Sequence, residues 1–432
     1  MKTENKKEIF SWVMYDWANS AFATTIAAVV LPIFYQDVAA GNLPDHIATA
    51  YWGYTLSIAM AILVILSPIL GSIADCSGSK KRYLMTMAFL GMAATAALTM
   101  VGSGQYMLAS AIYIVALIGF GGGNVFYDAF LPEIVPEEQR NYVSSRGFAY
   151  GYLGGGILLA VNLLMIQFPK LFGMKDAMMA TKVCFITVSV WWFVFSIPLI
   201  KNLKERRSSD ENDIKRGTNY IKAGLGNLVN TFKNITNYKE LFKFLIAFWL
   251  YNDAIGTIIG MATIYGRELG IPQTSLMGAL LLTQLAGFPF TLLMGRWAYK
   301  LGTKKSLYIC LSIYALICLA GYMMTTQIHF WILAFMVALV QGASQALSRS
   351  LFSSLVPVKH SAEFFGFYSV FNKLSDILGP FVFAIVAYYT GNSRNGIFSL
   401  ILFIIIGGLI LRTVNVEEGR KQVSVSMALQ PE

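Results

Sequence analysis

Apolar residues run along this chain in long blocks, separated by short polar stretches. Twelve blocks can be marked, at about 9–35, 49–74, 83–102, 106–130, 145–168, 179–200, 241–265, 273–298, 306–325, 329–353, 363–390 and 395–413. Each is close to the ~20 residues an α-helix needs to cross a hydrocarbon core. In lipid, backbone polar groups must be satisfied within the segment, so helices are the expected form. The pattern predicts an all-α polytopic membrane protein with twelve transmembrane helices. Inside the first block, SWVMYDWANSAF at 11–22 sets Asp16 and Asn19 among apolar residues. Trp12, Asp16, Asn19 and Ala23 share one helical face by their spacing. A lipid-facing carboxylate costs several kcal/mol, so that face is expected to look inward.

Composition agrees. Of 432 residues, 56% are hydrophobic and 13% charged, against about 25% charged in soluble domains. The net charge of +10 raises the question of nucleic acid. Its placement answers it. With the N-terminus inside, 26 of the 33 Lys and Arg fall in inner segments and 5 in outer loops. That bias predicts both termini in the cytoplasm, in a cell (inner) membrane, and makes the charge a topology signal. MKTENKKEIF leads directly into the first span, so no cleavable signal peptide is expected. Cys76, Cys184, Cys310 and Cys318 show no metal-ligand spacing and read as unpaired small apolar residues. His46, His329 and His360 lie near loops. No metal site, cofactor or catalytic pattern is visible, and no enzyme is expected. Gly119, Gly121, Gly122 and Gly123 sit inside a span, where helix packing explains them better than phosphate binding.

The two halves repeat. GSIADCSGSKK at Gly71–Lys81 matches GRWAYKLGTKK at Gly295–Lys305. Trp12 and Asp16 match Trp249 and Asp253, and Gly121 and Pro136 match Gly342 and Pro357. That last alignment sets Asp128 opposite Arg349. Two six-helix pseudo-repeats are expected. The domains are then an N-terminal bundle at 1–202, a cytoplasmic linker at 203–240, a C-terminal bundle at 241–414 and a cytoplasmic tail at 415–432. In the linker, Ile221, Leu225, Leu228, Val229 and Phe232 repeat with helical spacing beside Lys222 and Lys233. That fits an amphipathic helix on the inner leaflet or one packed under the bundle.

The loop Gly71-x3-Asp75-x2-Gly78 followed by Lys80-Lys81-Arg82 resembles the signature of the major facilitator superfamily. YDWANSAF at 15–22, LYNDAIGTI at 250–258, FYDAFLPEIVPEE at 126–138 and SSRGFAYGYLGGG at 144–156 resemble its vacuole-effluxer-like branch. That branch is related to an autophagy-linked vacuolar amino-acid exporter. Three positions depart from the superfamily pattern: Ser79 replaces a usual basic residue, Tyr299 a common acid, and Tyr152 the proline of an antiporter motif.

The resemblance implies a central cavity lined by spans one, four, seven and ten. Asp16, Asn19, Asn124, Asn252, Asp253, Gln341, Gln345 and Arg349 are the cavity candidates on those spans. Lys373 and Asp376 on span eleven join them, or pair with each other. Burial disfavours a charged carboxylate, which makes Asp16 and Asp253 candidates for proton coupling. Arg349 suits a substrate carboxylate or an acid partner. The resemblance also implies a cytoplasmic gate of Gly71, Asp75, Gly78, Lys80, Lys81, Asp128 and Arg146. In it the two glycines permit close approach and a tight turn, and Asp75 meets a helix N-terminus. The expected activity is proton-coupled secondary transport of a small polar organic solute, amino acids first. The expected partners are lipid, substrate and protons, with the protein a monomer. Efflux of amphipathic or drug-like compounds, and a non-transporting sensor or scaffold, are the alternatives.

Overall fold

The computed structural model describes residues 3–205, 226, 229, 238–375 and 377–428. Every regular element among them is helical. Twelve helices are long and apolar enough to cross a membrane. Spans one to six are Lys6–Ala39, Tyr51–Ser77, Lys80–Met100, Tyr106–Ile134, Glu137–Gln167 and Ala177–Asn202. Spans seven to twelve are Lys239–Ala262, Ser275–Leu301, Thr303–Tyr322, Gln327–Ser353, Val358–Thr390 and Ser393–Thr413. They fall on the twelve apolar blocks of the sequence.

Three elements depart from plain transmembrane helices. Span one is α-helical to Ala21, then π-helical over Phe22–Val30 and again over Tyr35–Ala39. Pro32, between the two stretches, has no N–H to return to the preceding turn. Span eleven is interrupted between Ser361–Leu374 and Leu378–Thr390. There Ser375 Oγ donates to Asn372 O at 2.6 Å, and Pro380, in the first turn of the second piece, has no N–H to give the preceding turn. After span twelve, the tail forms a helix over Val416–Ala428. Asp376 and the amphipathic segment of the linker lie outside the described residues, apart from Gly226 and Val229, which are helical.

By contacts the chain forms two compact units. One comprises Met1–Leu66, Gly78–Tyr127 and Tyr150–Arg207. Here span six packs on spans one and three. Trp17 stacks on Trp191 at 5.6 Å, and fully buried Trp192 meets Phe22 at 5.8 Å. Small residues set the helix spacing. A Cβ on Gly119 would collide with the backbone of Gly91 in span three, and one on Gly151 or Gly155 with Ser20 or Thr24 of span one. Close backbone approach of this kind is how helices associate where lipid removes the usual hydrophobic drive.

The other unit comprises Ser67–Ser77, Asp128–Ala149 and the chain from Ser208 onward. It therefore holds spans seven to twelve together with the C-terminal ends of spans two and four and the N-terminal end of span five. Span eight packs on span ten, span seven on span twelve, and span nine on both ten and twelve. A buried cluster of Tyr265, Ile271, Leu276, Phe330, Phe383 and Ile397 forms one end of its core. Tyr265 donates its hydroxyl to Gly321 O at 2.9 Å.

Candidate functional site

The polar face of span one is buried against span four. Asp16 is 7% exposed and Asn19 2%. Tyr127 donates its hydroxyl to Asp16 Oδ2 at 2.7 Å. Trp12 stacks on the Tyr127 ring at 4.4 Å and donates its indole N–H to Tyr127 O at 2.8 Å. Asn19 Nδ2 donates to Asn124 Oδ1 at 2.7 Å. The shared helical face of Trp12, Asp16 and Asn19 is thus spent on one neighbour. Each of these three side chains has a hydrogen-bond partner, which keeps the acid tolerable away from water.

The matching residues of span seven meet the break in span eleven. Asn252 Nδ2 donates to Asn372 Oδ1 at 3.0 Å and to Ser375 Oγ at 2.6 Å. Asp253 is fully buried. Gly379, the second residue of Leu378–Thr390, leaves room for it, since a Cβ there would lie 2.9 Å from Asp253 Oδ1. An anion beside the start of a helix is favoured by the helix dipole. Lys373 is half-buried in the last turn before the break.

Asp128 and Arg349, opposite each other in the repeat, are bonded to each other. Arg349 Nη1 donates to Asp128 Oδ1 at 2.9 Å, and the arginine side chain is 3% exposed. Its Nε and Nη2 donate to Ser144 Oγ at 2.9 Å and Ser144 O at 3.0 Å. The guanidinium lies 4.2 Å from the centroid of Phe148. A buried ion pair is costly to desolvate, and these extra donations offset part of that cost. Below it, Arg140 Nη1 donates to Ser353 O at 2.8 Å, and the same side chain holds Val135 O and Pro132 O at 3.1 Å each. The C-terminal ends of spans four and ten and the N-terminal end of span five are joined in this way.

Asp75 ends span two against the start of span eleven. Its carboxylate accepts Ala362 N–H at 3.2 Å and Glu363 N–H at 2.7 Å. These are first-turn donors with no intrahelical partner, so an acid there acts as a cap and meets the positive end of the dipole. Gly71 lies so close that a Cβ would run into the Ala362 carbonyl. Ser72 adds a bond to Glu363 Oε2 at 3.2 Å, and Ser361 one to Glu133 at 3.1 Å. Gly78 turns the chain at φ +59°, a value glycine adopts readily.

The basic residues of the loop behave differently from one another. Lys81 turns to the end of its own repeat, with Nζ on Leu203 O at 2.6 Å and its backbone N–H on Glu205 Oε1 at 2.8 Å. Lys80 is buried. Arg146 lies over the Tyr142 ring at 5.8 Å. Gln341 lines an apolar cavity of about 80 Å³ with Ile258, Met261, Tyr265 and Val337. Gln345, one turn on, is half-buried. Among the described residues no group of His, Cys, Asp and Glu could hold a metal ion.

Several residues of these clusters carry no sequence signal of their own. Tyr127 does, because it falls three residues after Asn124 and so shares its face. Ser144 and Phe148 fall inside the 144–156 motif without being singled out by it, and Arg140 has no motif: their partners are a guanidinium and carbonyls from distant segments.

The comparisons with known proteins extend over the whole chain. The model of the vacuole effluxer Atg22-like family matches residues 4–424. An uncharacterised MFS-type transporter, YxiO of Bacillus subtilis, is 41% identical over 416 residues, covering 96% of each chain. Autophagy-related protein 22 of Saccharomyces cerevisiae is 23% identical over 514 residues, covering 99% of this chain and 95% of its own. The fold also matches solved facilitators. A fucose:proton symporter of E. coli superposes with a TM-score of 0.69 at 14% identity, over 95% of this chain and 98% of that one. A bacterial homologue of the iron transporter ferroportin, in an outward-facing state, gives 0.66 at 13%, over 95% and 98%. This chain belongs to the vacuole effluxer Atg22-like family and is a transporter of the major facilitator type.

Proposed function

We propose that the protein is a secondary transporter working by alternating access, coupled to protons, for small polar organic solutes with amino acids first. The observation that carries the reading is the set of breakable contacts at the inner ends. Asp75 rests on the N-terminus of span eleven, and Asp128 pairs with Arg349. Both are charged contacts that can be lost and remade without unfolding a helix. Asp16 and Asp253, buried in the first span of each repeat, are the groups offered for the proton. Asn19, Asn124, Asn252 and Gln345 supply neutral polar groups for the solute. Lys80 and Arg146 belong, in this reading, to the inner gate. The protein works as a monomer in the cell membrane with both termini in the cytoplasm, which the distribution of Lys and Arg supports.

Purified protein in liposomes, given a pH gradient and a panel of labelled amino acids, tests this. Uptake or exchange of at least one amino acid, abolished by a protonophore, is expected. No movement of any amino acid would contradict it. The apolar cavity around Gln341 favours a second reading, efflux of amphipathic compounds. The same vesicles with a panel of hydrophobic cations decide between the two. A chain that moves neither class would be a sensor or scaffold.

A further inference from the structure

We propose that the C-terminal helix Val416–Ala428 is a cytoplasmic strap that biases the inner gate toward closure; the inference rests on the gate reading given above. The helix is seated on the second repeat by three kinds of contact. Asn415 N–H, at its entry, donates to Glu240 Oε2 at 2.6 Å, and Gln422 Oε1 accepts Glu240 N–H at 3.5 Å. Glu240 itself is buried and paired with Lys243 at 2.7 Å. Gly419 lies flat on the loop after span ten: a Cβ there would stand 2.5 Å from Leu355 Cδ2 and 3.2 Å from Glu240 Cβ. Val414 and Val423, on either side, are buried. Lys304 Nζ fixes the approach by bonding Arg412 O at 2.8 Å and Val414 O at 2.7 Å.

A further contact goes to the first repeat. Arg420 forms an ion pair with Glu137, the first residue of span five. Glu137 lies three residues before Arg140, the side chain that ties span five to Ser353 O at the end of span ten. The strap therefore holds the same turn of span five that Arg140 ties to span ten. Moving span five away from span ten requires Arg420 to let go of Glu137 or the helix to peel from Leu355 and Glu240. The Arg420 and Glu137 side chains are 47% and 38% exposed. A pair that wet is weak, so the strap sets a bias rather than a lock.

The test is hydrogen–deuterium exchange of segments 137–146 and 353–363 in the full chain in lipid nanodiscs. Arg420→Glu is expected to speed exchange of both segments about threefold, the loss of one exposed pair and its replacement by repulsion. Gly419→Trp, which lifts the helix off Leu355 and Glu240 while leaving Arg420 and Glu137 unchanged, is expected to do the same. The double reversal Arg420→Glu with Glu137→Arg is expected to return both segments to wild-type rates. Wild-type rates in either single variant, or no recovery in the double reversal, would overturn the strap. Arg349→Met separates the two ideas. Faster exchange in Arg349→Met with none in Arg420→Glu sinks the strap and leaves the gate, whereas no change in either sinks both.

Discussion

The two copies of the signature loop do the same packing with different chemistry. Gly71 brings span two against span eleven at Ala362, and Gly295 brings span eight against span five at Ser145 and Asn141. Asn141 and Ala362 occupy the same place in the repeat, so this is one contact built twice. Four residues past each glycine the copies diverge. In the first copy Asp75 reaches two backbone N–H groups at a helix start. In the second, the matching Tyr299 is 69% exposed, and a neutral pair, Asn141 with Thr303 at 2.8 Å, stands at that contact. Duplication has kept the close backbone approach and left the charged cap on one side. That side is then the one a charge-removing substitution can break.

The largest effect is expected where the repeats share an ion pair. Arg349→Met leaves Asp128 in place without its guanidinium and should cost ~3 kcal/mol, seen as a fall in thermal midpoint in detergent. Replacing both, with Asp128→Leu added, should recover most of it, because no charge is then stranded. Next come the glycines. Gly71→Ala meets fixed backbone and should cost about 1–3 kcal/mol with no side-chain remedy. Gly295→Ala meets the Ser145 side chain, so adding Ser145→Gly should restore the wild-type midpoint. Single polar contacts come lower. Asp75→Asn should lose about 1 kcal/mol of capping and dipole interaction. Tyr127→Phe keeps the stack on Trp12 and removes one donor from Asp16, for about 1 kcal/mol or less. The smallest change is expected at the second-copy partner of Asp75: Tyr299→Phe, on an exposed side chain, should stay within ~0.5 kcal/mol.

Much of this is readable from the chain alone. The span count follows from block length, since lipid leaves the backbone no alternative to helices. The meeting of Asp75 with a helix N-terminus is implied by the loop motif, whereas the repeat sets Asp128 and Arg349 in equivalent places without saying that they touch. Other features have no such handle. The π-helical stretches of span one use the same apolar residues as an α-helix, so no periodicity marks them. Lys81 looks like a gate cation by its motif, yet its ammonium is satisfied by Leu203 O, a carbonyl 122 residues away. The tail helix carries Gly419 and three β-branched valines, which lower its own helix propensity. It is held by Glu240 and Glu137, which lie far away in sequence. Partners that depend on tertiary distance are not encoded locally.

The central claim is that Asp75 and the Asp128–Arg349 pair hold the inner ends together and release them in transport. Pulsed electron paramagnetic resonance between genetically encoded spin labels at Glu138 and Lys359 tests it most directly. Glu138 and Lys359 are exposed, the first at the start of span five and the second just before the Ser361–Leu374 helix of span eleven. The account predicts one short-distance population in the wild-type protein and a second, longer population in Asp75→Asn with Arg349→Met. Identical distance distributions in the two proteins would contradict it.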